Sequence, residues 1–100
     1  MKASDFYFHV EPASKNDIKA YGFHSYVAIV KVDFWNKKHH LSDKHIESQV
    51  KDFLPSNIHE CEESIFTSDK SVEETKKQLI EAGFLENSMF SKFIATHPIN

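Results

Sequence analysis

Residues 25–35 read Ser-Tyr-Val-Ala-Ile-Val-Lys-Val-Asp-Phe-Trp, and their alternation decides the fold. Tyr26, Ala28, Val30, Val32 and Phe34 fall on one face of an extended chain, with Val27, Ile29, Lys31, Asp33 and Trp35 on the other. β-branched and aromatic residues dominate both sets, and the second face is apolar at its start and charged toward its end. Such a stretch predicts a central strand, covered on one face and half covered on its back.

The neighbouring segments supply partners for it. Phe6, Phe8 and Val10 alternate with Tyr7 and His9 and are stopped by Glu11-Pro12, so residues 5–11 predict a first strand. The polar connection that follows holds one short helical turn from Ser14 to Tyr21, with Gly22 as its left-handed stop. Ser42 is placed as an N-cap, with Leu41 and Ile46 as a hydrophobic staple. Ile46, Val50, Phe53 and Leu54 give an apolar helical stripe that Pro55 ends. Residues 58–67 alternate around Glu60, Glu62 and Glu63, and a strand so acidic belongs at a sheet edge. Ser71-Val72-Glu73-Glu74 fits a capping box for a second helix closed by Gly83, and Met89–Thr96 predicts a last strand. The expected architecture is one α+β domain over residues 1–100. It is a two-layer sandwich in the order β-β-α-β-α-β, with two helices on one face of a four-stranded sheet, and it resembles ferredoxin-like domains in architecture alone.

Composition narrows the function classes. With 40% hydrophobic and 27% charged residues the chain is neither a disordered tail nor a membrane protein. No apolar run approaches the roughly 18 residues of a spanning helix, and no signal-peptide pattern opens the chain, so the cytoplasm is the expected compartment. The single Cys61 excludes an internal disulfide and a multi-cysteine zinc site. Two glycines cannot build a phosphate-cradling loop. All 12 basic residues are lysine, so the side chain best suited to bidentate phosphate or guanine recognition is missing. Residues 1–50 carry 7 Lys against 6 Asp/Glu and residues 51–100 carry 5 Lys against 9 Asp/Glu, a net acidity that demotes nucleic-acid binding.

Three constellations remain. Seven histidines, among them His39, His40 and His45, match no standard metal spacing and read as solvated side chains before a helix. His59 and Cys61 on one strand face sit about 7 Å apart, too far for an activated pair, and Cys61 reads as a small core residue. The segment Phe34-Trp35-Asn36-Lys37-Lys38-His39-His40 places aromatic area beside lysines and histidines at a strand end. Trp35, Lys37, Lys38, His39 and His40 are the candidate interaction residues. The expected function is a small non-catalytic protein-interaction or regulatory module, such as an adaptor, inhibitor, immunity protein or antitoxin of bacterial or phage type. It would act through an exposed sheet edge or face on another protein and on a second copy of itself. No catalytic residue, cofactor or metal is expected. The alternatives are a His-assisted or metal-dependent hydrolase such as a ribonuclease, and a weak single-stranded nucleic-acid binder using Trp35, Lys37 and Lys38.

Overall fold

Seven residues of β1 (Phe6–Pro12) pair antiparallel with seven of β2 (Ser25–Lys31), from Phe6 opposite Lys31 to Pro12 opposite Ser25. This ladder is the spine of a computed structural model that describes residues 2–38, 46–62 and 64–87. Between its strands α1 (Lys15–Tyr21) starts where the Ser14 hydroxyl accepts the Asp17 N–H at 3.1 Å. It ends at Gly22, whose φ of 81° is the left-handed conformation anticipated for it.

After β2 the chain does not stay extended. α2 (Val32–Lys38) begins at Val32, so residues 32–35, expected to continue the strand, form its first turn. Apolar residues at 30, 32, 34 and 35 suit a period of 2 or of 3.6, and Asp33 in the first turn favours the positive end of a helix. Next come α3 (Ile46–Val50), β3 (Ile58–Glu62), β4 (Ile65–Ser68), α4 (Val72–Ala82) and β5 (Leu85–Glu86).

The sheet runs β3-β4-β2-β1-β5, with β2 in the middle as its two apolar faces demand. β5 lies parallel to β1, pairing Tyr7 with Leu85, and every other pairing is antiparallel. The architecture is thus α+β with a mixed five-stranded sheet and four helices among the described residues. Three of the four expected strands fall within the described residues, and they become five because residues 58–67 fold back as the β3–β4 hairpin and because Leu85–Glu86 adds a strand. The ferredoxin-like order is not the one adopted. The expected strand at Met89–Thr96, and the Leu41–Ser42 staple and cap, lie outside the described residues.

Both faces of the sheet are filled. On the front, Phe6, Phe8, Val10, Val27, Ile29 and Phe66 pack with Ile46 and Val50 of α3 and Leu79 of α4, the two helices anticipated there. On the back, Tyr26, Ala28, Val30 and Ile65 pack with Ile18 of α1 and with Phe34 and Trp35 of α2. The back face, expected to offer bare apolar surface to a second copy, is therefore covered from within the chain. Gly83 closes α4 with φ 105°, and Phe84 turns back into the front core. Among the described residues no helix is long and apolar enough to cross a membrane.

Candidate interaction site

β3 is the outermost strand beyond β4, and it is acidic, as its expected edge position requires. Ile58 is buried in the front core, whereas His59, Glu60, Cys61 and Glu62 are all exposed. Its pairing with β4 is regular from Ile58 opposite Ser68 to Glu60 opposite Phe66. A bulge then intervenes, and Glu62 lies opposite Ile65. The Asp69 N–H donates to the Asn57 carbonyl at 3.2 Å, so in an antiparallel ladder residues 57 and 59 turn their main chain toward β4 while Glu60 turns its own outward.

The hairpin turn is held by the Ile29 N–H, which donates to the Ser64 carbonyl at 3.0 Å, and by Ser64 itself, buried at φ 63°. Cys61 is exposed rather than core, because the bulge falls beside it. Partial burial and then the Glu62 carboxylate push its thiol pKa up, which makes it a poor nucleophile at neutral pH.

Trp35 is only 7% exposed and belongs to the back-face core, so its ring is not available for stacking on a base without leaving that layer. Lys37 is exposed at the end of α2, and Lys38 is the last residue of that helix. His39, His40 and His45, the acid–base groups of the hydrolase alternative, lie outside the described residues. Among the described residues no group of three or more His, Cys, Asp or Glu is placed to hold a metal ion. His9 Nε2 is 3.1 Å from Glu11 Oε1, and its Nδ1 is buried with no hydrogen-bond partner among the described residues.

Sequence reading missed one pairing on the back face. The Tyr26 hydroxyl donates to the Asp17 carboxylate, linking β2 to α1, and Phe23 packs edge-on against Tyr26 with centroids 5.1 Å apart. Burial first, and then Asp17, holds the Tyr26 ionisation well above the ordinary tyrosine range. Because the folded state keeps this phenol proton more tightly, the stabilisation is complete below the unfolded pKa of about 10 and is lost as pH rises beyond it. Resistance to urea should therefore fall as pH rises from about 10 to about 12 in the native chain. Tyr26→Phe should flatten that slope, leaving the smaller contribution of Cys61, whose raised pKa has the same sign. An unchanged slope in Tyr26→Phe would show that the phenol is not the responsible group.

Comparison with known proteins returns no matching family model, curated protein or solved structure.

Proposed function

We propose that this chain is a small cytoplasmic protein-interaction or regulatory module, acting without catalysis as an adaptor, inhibitor, immunity protein or antitoxin does, and that it engages its partner through the open edge β3. The observation that carries this reading is the run of four exposed residues, His59 to Glu62, on the strand that ends the sheet among the described residues. An edge strand offers main-chain hydrogen bonding to an added strand, and this is a common way for a folded domain to hold a peptide. The end of α2, with Lys37 and Lys38 followed in sequence by His39 and His40, is a second contact of opposite charge. In that arrangement Trp35 fixes the helix from within the core.

The exposed, single Cys61 permits a direct test. A photo-crosslinker attached to Cys61 should capture a partner protein in extracts of the cells that make the chain. The same reagent on Lys77→Cys in a Cys61→Ser background, on the exposed face of α4, should capture nothing comparable. Equal capture from both positions, or none from Cys61, overturns the assignment of the edge.

A further inference from the structure

We draw no further inference here: the strongest candidate, the exposed aromatic patch at the end of α1 where Tyr21 stacks on Phe23 with ring centroids 6.1 Å apart, carries nothing, since nothing in the structure shows what covers it.

Discussion

Replacing Phe66 with alanine is expected to cost about 3–5 kcal/mol of folding stability, the usual penalty for emptying a phenylalanine site in a packed core. Phe66 is fully buried on β4, opposite Val27 on one side and Glu60 on the other, in the cluster shared with Val50 and Leu79. A domain of this size holds only about 5–15 kcal/mol in all, so the variant should lose a large part of its margin and melt more than about 12 °C lower. Thermal and urea unfolding followed by circular dichroism will read this directly. A loss below about 1 kcal/mol would show that the front face is not packed around this ring. Since Phe66 pairs with Glu60, the same variant should also loosen the edge strand.

The face that Phe66 occupies was legible because the signal is strong where burial is complete. Val27 and Ile29 on one side of β2, and Tyr26, Ala28 and Val30 on the other, separate into the front and back cores as the alternation requires. The caps of α1 and α4 were legible for a local reason. Ser14 and Ser71 accept the N–H groups of Asp17 and Glu74, and Gly22 and Gly83 take the positive φ that ends each helix. α2 was not legible, because Val32, Phe34 and Trp35 satisfy both periodicities and no glycine or proline marks the change at Val32. Tertiary packing against the back of the sheet settled between them.

The hairpin was hidden for a related reason. The turn between Glu62 and Ile65 has no Gly, Asn or Pro, and it places Ser64 at φ 63°, a conformation that sequence rules reserve mainly for glycine and asparagine. Residues 58–67 therefore read as one acidic strand, which gave the edge position correctly but hid the bulge. With it went the exposure of Cys61 and the division of Glu60 and Glu62 between the two faces.

A second set of substitutions probes how β3 is tied down. Ser25, Ser68 and Thr75 are fully buried, and their hydroxyls form a chain whose direction can be worked out. Ser68 Oγ accepts from Asn57 Nδ2 at 3.0 Å and from the Lys70 N–H at 3.1 Å, which fills both its lone pairs, so its proton must go to Thr75 Oγ1 at 2.8 Å. Thr75 then donates onward to Ser25 Oγ at 3.3 Å or the Lys70 carbonyl at 3.4 Å, and Ser25 donates to that carbonyl at 2.9 Å. Asn57, just ahead of β3, also exchanges two 3.0 Å bonds with Gln78 of α4. Thr75→Val keeps the shape but strands the Ser68 proton, and should cost about 1–3 kcal/mol. Ser68→Ala should cost more, because it removes the acceptor of two N–H groups as well as the donor to Thr75. The double variant should fall well short of the sum of the two, since the Ser68–Thr75 bond is lost only once. Additive losses would mean that the hydroxyls act independently. The consequence for β3 follows from Asn57: with its Ser68 anchor gone, its side chain keeps only the amide pair with Gln78. Ser68→Ala should then speed amide hydrogen exchange at the start of β3.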